Sequence, residues 1–175
     1  MSGKYQRWVV QYHDAAWALA RYLLKDASEA EDAVQEAVVK LRQHEAAMEP
    51  DRVRPWLLTV VRNNCLDRLR RHRPDYVAAI EHSVVDTARL AGEQPGLAAR
   101  DGPEDILSRG QAAAWLRHLI DQLDEPNRSL VVLRDLMQLS YAEVGEATGL
   151  SLSQVKVYLH RARRRLRDQL ETADD

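Results

Sequence analysis

The chain has 175 residues, of which 25 are Lys or Arg and 27 are Asp or Glu, so its formal net charge is −2. Hydrophobic residues make up 45% of the chain and charged residues 30%, a composition that excludes a disordered protein. The single cysteine, Cys65, excludes a disulfide framework and multi-cysteine zinc sites, and no apolar run approaches the ~20 residues of a membrane span. We therefore expect a cytoplasmic protein without direct membrane insertion.

Two helices are predicted at the start of the chain, where apolar residues recur at helical spacing and strand alternation is nearly absent. Ser28 and Glu31 have the spacing of a capping box, which predicts that a second helix over about 29–43 begins there. The first helix is indicated by Val9, Val10, Trp17, Leu19, Leu23 and Leu24.

A third helix is predicted over about 55–72, with an apolar stripe of Leu58, Val61, Cys65 and Leu69. Pro74 ends it, because proline lacks the N–H and disfavours helical geometry in the residue before it. The acidic, poorly periodic residues 74–105 are then predicted to be a flexible linker, since so long a connection is unusual inside one compact domain.

The second half of the chain is predicted to be helical as well. A helix before the break at Asp124–Pro126 is followed by another over about 127–137. The apolar positions of the first of these are Trp115, Leu116, Leu119, Ile120 and Leu123.

The strongest signal is a helix-turn-helix near the end of the chain. Ser140–Glu143 and Ser151–Gln154 are two further capping boxes, and Gly149 follows a short helix over 141–148 as a residue that tolerates a left-handed backbone. In the second helix, Val155, Leu159, Ala162 and Leu166 form the buried stripe. The opposite side carries Ser153, Val157, His160 and Arg164, flanked by Lys156 and Arg161. This pattern predicts a recognition helix for the DNA major groove, with Arg161, Arg163, Arg164, Arg165 and Arg167 as candidates for phosphate contacts.

Charge is strongly segregated along the chain. Residues 52–73 carry 7 arginines against one acid, and residues 156–167 carry 6 basic side chains and no acid, whereas residues 74–105 carry 7 acids against 2 basic groups. Two compact cationic blocks in an acidic chain indicate a polyanion contacted at two places.

The first cationic block has a polar face on the third helix. Asn63, Asp67 and Arg70 lie opposite the apolar stripe, with Arg62 and Arg71 at its edges. Amide, carboxylate and guanidinium groups can bind base edges and the backbone of unpaired DNA. Asp67 has an alternative interpretation, as an i,i+3 or i,i+4 ion-pair partner on a solvated surface.

Three segments in order resemble the extracytoplasmic-function sigma factors, over nearly the whole chain except the linker. They are Asp32-Ala-Val-Gln35-Glu36, Trp56 through Arg71, and the terminal helix-turn-helix. The family implies an all-α protein of two small helical domains that recruits core RNA polymerase to promoters. The resemblance divides the chain into 1–73, a polymerase-binding and −10-element-binding domain; 74–105, the linker; and 106–175, a −35-element-binding domain.

The resemblance also assigns residues to roles. The polymerase clamp segment is matched by Asp32, Gln35 and Glu36. The positions that face the −10 element are Arg62, Asn63, Asp67, Arg70 and Arg71. The positions that face the −35 element are Ser153, Gln154, Lys156, Val157, His160, Arg161 and Arg164. Val157 and Tyr158 depart from the family pattern, because Val157 cannot donate to a base and Tyr158 replaces a basic residue.

The implied partners are core RNA polymerase, promoter DNA and an anti-sigma factor. We expect no catalytic residues, no metal and no cofactor, because the chain shows no phosphate loop, no nucleophile–base pair and no metal-ligand spacing. Two alternatives stay open: a stand-alone helix-turn-helix regulator, and a helical protein-interaction adaptor whose arginines are incidental.

Overall fold

A computed structural model describes residues 3–72 and 106–171, and every regular element in these two ranges is helical. The first range contains α1 (Gly3–Leu23), α2 (Ala27–His44), a short 3-10 turn (Glu45–Ala47) and α3 (Pro50–His72). The second contains α4 (Ile106–Asp121), α5 (Asn127–Val131), a π-helical turn (Val132–Leu136), α6 (Tyr141–Thr148) and α7 (Leu152–Glu171). The all-α prediction is confirmed, and the predicted linker, 74–105, lies outside the described residues.

The first three helices pack against one another through small and aliphatic side chains. Alanines at the contacts, such as Ala16, Ala33 and Ala37, have no exposed surface, which lets the helices approach closely. A smaller buried cluster lies near the N-terminal end of α1 and contains Trp8, Leu41 and Val53. The helix that Val10 helped to indicate is present, and Val10 itself is 81% exposed on it.

The start of α2 differs from the sequence prediction. Its N-cap is Asp26, whose Oδ1 accepts a 2.9 Å hydrogen bond from the Glu29 backbone N–H. The predicted Ser28–Glu31 capping box is therefore wrong, because Asp26 has the same three-residue spacing to Glu29 and begins the helix two residues earlier.

Helix α3 also begins earlier than predicted, at Pro50 rather than near 55. Proline at the first helical position loses no hydrogen bond, because the first N–H groups of a helix have no partner within it. Pro55 lies inside the helix, and its carbonyl accepts a 2.8 Å hydrogen bond from the Thr59 hydroxyl.

The second half follows the predicted order, with one change of helix type. The helix predicted over 127–137 is α5 followed by the π-helical turn, which closes with a 2.9 Å bond from the Met137 N–H to the Val132 carbonyl. Of the apolar residues in the helix before Asp124, Leu119, Ile120 and Leu123 are buried, whereas Trp115 and Leu116 are 43% and 37% exposed.

The two halves share one hydrophobic core. A single cluster of buried side chains includes Leu57, Leu58 and Val61 of α3 together with residues of the second half such as Leu130 and Val144. Cys65 belongs to this cluster with no exposed surface, as predicted for a small apolar side chain, and burial raises the pKa of its thiol to about 12. Two domains connected only through a linker would not bury these residues together.

Candidate nucleic-acid interface

The helix-turn-helix is built by two reciprocal caps. The Ser140 N–H donates to Glu143 Oε2 (2.7 Å), and the Glu143 N–H donates to Ser140 Oγ (3.2 Å). Ser151 and Gln154 repeat the arrangement at the start of α7, with distances of 2.9 and 3.3 Å. These four bonds satisfy N–H groups that a helix start leaves unpaired, and they fix where α6 and α7 begin.

Gly149 makes the turn between these two helices. Its φ is +73°, the left-handed region, and its N–H donates to the Gly145 carbonyl at 2.8 Å. A residue with a Cβ is strained in that conformation, so glycine is the residue that closes α6 at least cost. The predicted turn and the predicted bounds 141–148 are both confirmed.

Helix α7 separates an apolar side from an exposed polar side. Val155, Leu159, Ala162 and Leu166 are buried, as predicted. Of the opposite side, Val157 and Gln154 are half-buried, and the Gln154 side chain already serves as a cap through its Oε1. The exposed members are Ser153, Lys156, His160, Arg161 and Arg164.

Two arginines predicted to contact phosphate pair with acidic residues of this chain. Arg163 makes two hydrogen bonds to the Asp135 carboxylate, at 3.1 and 2.5 Å, and this bonding raises the pKa of the guanidinium. Arg165 lies 3.4 Å from Asp124. The Arg163 pair is mostly buried, so this guanidinium is held inside the domain, whereas the Arg165–Asp124 pair is exposed and can be replaced by a phosphate at little cost. The sequence alone could not assign either partner.

Tyr158 belongs to the core rather than to the DNA side. It is 2% exposed and lies among the buried residues of the common cluster. Its departure from the family pattern therefore concerns packing and leaves the exposed face of α7 unchanged.

On α3, the polar face predicted from the sequence is exposed. Asn63, Asp67, Arg70 and Arg71 are all at the surface. Asp67 pairs with Arg70 at 3.1 Å, an i,i+3 contact, and its backbone carbonyl accepts a 3.3 Å bond from Arg71 Nε. An exposed pair of this kind contributes about 0–1 kcal/mol, so a nucleic-acid ligand can replace it at little cost.

Arg62 is placed differently from its neighbours. It is 7% exposed, and its guanidinium donates to the Ala147 carbonyl of α6 (3.1 Å) and to Asn63 Oδ1 (3.3 Å). Burial lowers the pKa of Arg62, and the charge of Glu125 partly opposes that shift. The prediction that Arg62 lies at an exposed edge is wrong for this conformation, because α6 covers it.

A third surface lies on α2. Asp32, Gln35 and Glu36 are exposed together, beside a shallow depression whose lining includes Val39 and Gln43. Gln35 donates to Glu31 at 2.9 Å, and Glu36 accepts a 2.5 Å bond from Arg68 of α3.

Polar links between α2 and α3 were missed by the sequence analysis. Asn64 donates to the Ala33 carbonyl (3.0 Å) and accepts from Lys40 (3.1 Å), and it is 6% exposed. The sequence signal that could have found these links is Asn64 itself, a polar residue on the apolar side of α3, next to Cys65. These bonds fix the orientation of the α2 surface relative to the exposed face of α3.

The described residues offer neither a metal site nor a helix that could span a membrane. Within residues 3–72 and 106–171, His, Cys, Asp and Glu nowhere gather in threes with the geometry to hold a metal ion. In the same ranges, no helix combines the length and apolarity needed to cross a bilayer.

Two family models match the chain: Sigma-70 region 2 over residues 8–74, and Sigma-70, region 4 over residues 113–166. The chain is 30% identical to the RNA polymerase sigma-E factor of Streptomyces avermitilis, covering 98% of this chain and 87% of that protein. It is 29% identical to the ECF RNA polymerase sigma factor SigW of Bacillus subtilis, covering 91% of this chain and 84% of that protein. It is 32% identical to the ECF RNA polymerase sigma factor SigE of Mycolicibacterium smegmatis, covering 93% of this chain and 60% of that protein.

Two solved structures share the fold. The sigma factor RpoE in complex with the anti-sigma factor NepR, from Bartonella quintana, matches with a TM-score of 0.68 and 20% identity over 97% of this chain and 98% of that one. CnrH in complex with the cytosolic domain of CnrY matches with a TM-score of 0.65 and 22% identity, over 96% of this chain and 88% of that one.

Proposed function

The chain belongs to the extracytoplasmic-function sigma factors and directs RNA polymerase to promoters, and we propose which of its surfaces perform each part of that function. As a sigma factor it is not an enzyme, so polymerisation belongs to the polymerase. The observation that carries the proposal is the capped helix-turn-helix, whose second helix turns a basic, exposed side away from the core.

Helix α7 binds the upstream duplex at the −35 element. Its first turns meet base edges in the major groove, as expected for a recognition helix, and its later basic residues meet phosphates. Val157 touches a thymine methyl rather than donating a hydrogen bond. The residues of this surface are Ser153, Gln154, Lys156, Val157, His160, Arg161 and Arg164.

Helix α3 binds the −10 element as the duplex opens. Asn63 and Asp67 offer hydrogen bonds to unpaired bases, and the guanidinium groups beside them bind the strand backbone. The exposed Asp67–Arg70 pair supports this role, because both groups are already at the surface and are held by a weak contact. The residues of this surface are Asn63, Asp67, Arg70 and Arg71, and the buried Arg62 does not belong to it.

Helix α2 docks on core RNA polymerase through Asp32, Gln35 and Glu36. All three side chains are exposed, and they share one side of α2. The other side of this helix, which carries its alanines, is buried. In this scheme residues 1–73 form the polymerase- and −10-binding unit, 74–105 the linker and 106–175 the −35-binding unit. The chain works in the cytoplasm, where an anti-sigma factor holds it inactive.

Binding to core polymerase tests this division of labour. We expect the purified chain to bind core polymerase, and we expect the double variant Gln35→Ala, Glu36→Ala to lose about tenfold in affinity. Asp14→Ala, at a fully exposed position of α1, is the matched control and retains wild-type affinity. Tight operator binding without any polymerase affinity would indicate a stand-alone regulator, and no DNA affinity at low salt would indicate an adaptor.

A further inference from the structure

Helix α7 carries a histidine in the middle of its exposed polar side. His160 is exposed, and Lys156 and Arg164 lie one turn before it and one turn after it on the same side of the helix. Arg161, which follows it in the chain, is exposed as well. His160 therefore belongs to the surface proposed for −35 binding.

One chemical property separates His160 from the other basic residues of this surface. Lysine and arginine keep their charge near neutral pH, whereas an imidazole gains or loses its proton between about pH 5 and 8. Because the His160 side chain is exposed, burial excludes neither protonation state. The charge of this surface can thus change by one at a single residue.

The neighbours of His160 do not stabilise its charged form in the free chain. Lys156, Arg161 and Arg164 are donors without a lone pair to accept a hydrogen bond from an imidazolium. The carboxylates of α6, of the π-helical turn and of the segment before α5 are engaged with other groups. Their pairs are Asp135–Arg163, Asp124–Arg165, Glu146–Arg52 and the cap Glu143–Ser140.

The remaining charged groups of the elements around α7 are also directed elsewhere. Glu125 is buried, and its charge acts on Arg62. Helix α4 meets the far end of α7, where Gln169 donates to Gln122 at 2.8 Å, roughly 13 Å along the axis from His160. The basic groups of α5 and the π-helical turn donate to backbone carbonyls, as Arg128 to Leu123 and Asp121, and Arg134 to Leu139.

A DNA phosphate would supply the anion that the chain itself does not offer to His160. An opposite charge within about 4–6 Å favours the protonated imidazole, by roughly tenfold. The imidazolium then donates a charge-assisted hydrogen bond, which is stronger than a bond between neutral groups. A duplex therefore binds the protonated form of this surface more tightly than the neutral form.

The position of His160 along α7 favours a phosphate over a base edge. A recognition helix contacts bases mainly through the residues near its start. His160 lies roughly 12 Å along the axis from Leu152, more than two turns beyond the helix start. The major groove is only about 8.5 Å deep, so a residue this far along the helix meets the backbone at its rim.

We propose that −35 binding by this chain takes up a proton at His160, whose imidazolium donates a hydrogen bond to a DNA phosphate. The proposal rests on the proposed function, which places α7 against the upstream duplex. Neutral His160, one proton from solvent and the duplex form the complex, so the complex holds more protons than the separate partners. Binding strengthens as pH falls, and the gain is lost as pH rises.

Fluorescence anisotropy of the full chain with labelled duplex DNA measures this coupling. Two duplexes of about 20 base pairs and unrelated sequence are used, because phosphate contacts carry no sequence information. Affinity is measured at pH 6 and pH 8 over a series of salt concentrations. The variants are His160→Gln, which cannot be charged, and His160→Lys, which keeps its charge. The control is His118→Gln, which removes an exposed histidine of α4.

We expect the wild-type chain to bind both duplexes about threefold to tenfold more tightly at pH 6 than at pH 8. The slope of log affinity against log salt should be steeper at pH 6, by up to about 0.9, the value for one added phosphate contact. His160→Gln removes both differences, and His160→Lys binds at pH 8 as the wild type does at pH 6. His118→Gln keeps the pH dependence of the wild type.

Equal wild-type affinity at pH 6 and pH 8, or a pH dependence that persists in His160→Gln, would overturn proton uptake at this residue. A pH dependence confined to one of the two duplexes would place His160 on a base edge and overturn the phosphate contact. Failure of the proposed function looks different: a chain that shows this coupling but never supports promoter-specific transcription refutes that function and leaves proton uptake standing.

Discussion

The carboxylate of Glu36 accepts a 2.5 Å hydrogen bond from Arg68, which connects the surface proposed for polymerase docking to the helix proposed for −10 binding. Arg68 is mostly buried, with 13% of its side chain exposed, whereas Glu36 is 53% exposed. Arg68 thus holds Glu36 in one orientation without itself being available to a partner.

For Arg68→Met we expect polymerase affinity to fall about threefold, because Glu36 regains rotamer freedom that binding must then remove. The free energy of unfolding should fall by about 1 kcal/mol. The control is His72→Ala, which removes another α2–α3 contact (2.8 Å to Glu29) away from the docking surface. Equal effects of the two variants on polymerase affinity would contradict the positioning role.

Arg164 and Arg163 are adjacent but have different surroundings, and this difference gives a prediction about salt. Arg164→Ala should weaken duplex binding and reduce the slope of log affinity against log salt by about 0.9, the value for one lost phosphate contact. Arg163→Ala should leave the slope unaltered and destabilise the fold by about 1–3 kcal/mol, because Asp135 loses its two hydrogen bonds. Salt titration of binding to a −35 duplex measures the effect of Arg164→Ala, and urea unfolding measures the effect of Arg163→Ala. An unchanged slope for Arg164→Ala rejects its phosphate contact.

Asn63 and Asn64 form a second adjacent pair. Asn63 is exposed, so Asn63→Ala should preserve folding and slow promoter opening more than it weakens the initial closed complex. Asn64 is buried with two cross-helix hydrogen bonds, so Asn64→Ala should cost about 1–3 kcal/mol of stability. Permanganate reactivity of unpaired thymines measures opening. Normal reactivity with Asn63→Ala would remove this residue from the −10 surface.

Helix caps provide a test of the corrected start of α2. Asp26→Ala and Ser140→Ala should each lower the free energy of unfolding by about 1 kcal/mol, because each removes an N-cap acceptor. Ser28→Ala should change it by less than about 0.5 kcal/mol, since Ser28 lies inside the helix. A large loss for Ser28→Ala, with none for Asp26→Ala, would restore the original assignment of the cap.

Local signals predicted much of the fold and of the site. Gly149, the two later capping boxes and the apolar stripe of α7 depend on neighbours within a few residues, so the sequence carries them directly. The same holds for the exposure of Asn63 and Asp67, which follows from helical spacing along α3.

Contacts between distant residues could not be predicted in the same way. Arg163 meets Asp135, and Arg62 meets the Ala147 carbonyl, only because packing brings those helices together. A basic residue in the sequence looks the same whether its partner is a phosphate, a carboxylate or a backbone carbonyl. Tyr158 likewise takes its burial from the packing of the common core rather than from its own segment.

Promoter-specific transcription tests the central claim most directly. Core RNA polymerase from the source organism is supplied with its genomic DNA and the purified chain, and the 5′ ends of the transcripts are sequenced. We predict a set of start sites that is absent with polymerase alone. These sites have two sequence elements in common upstream, and their transcripts are strongly reduced with Asn63→Ala. A chain that leaves every start site unchanged, although it is folded and bound to the polymerase, would contradict the claim.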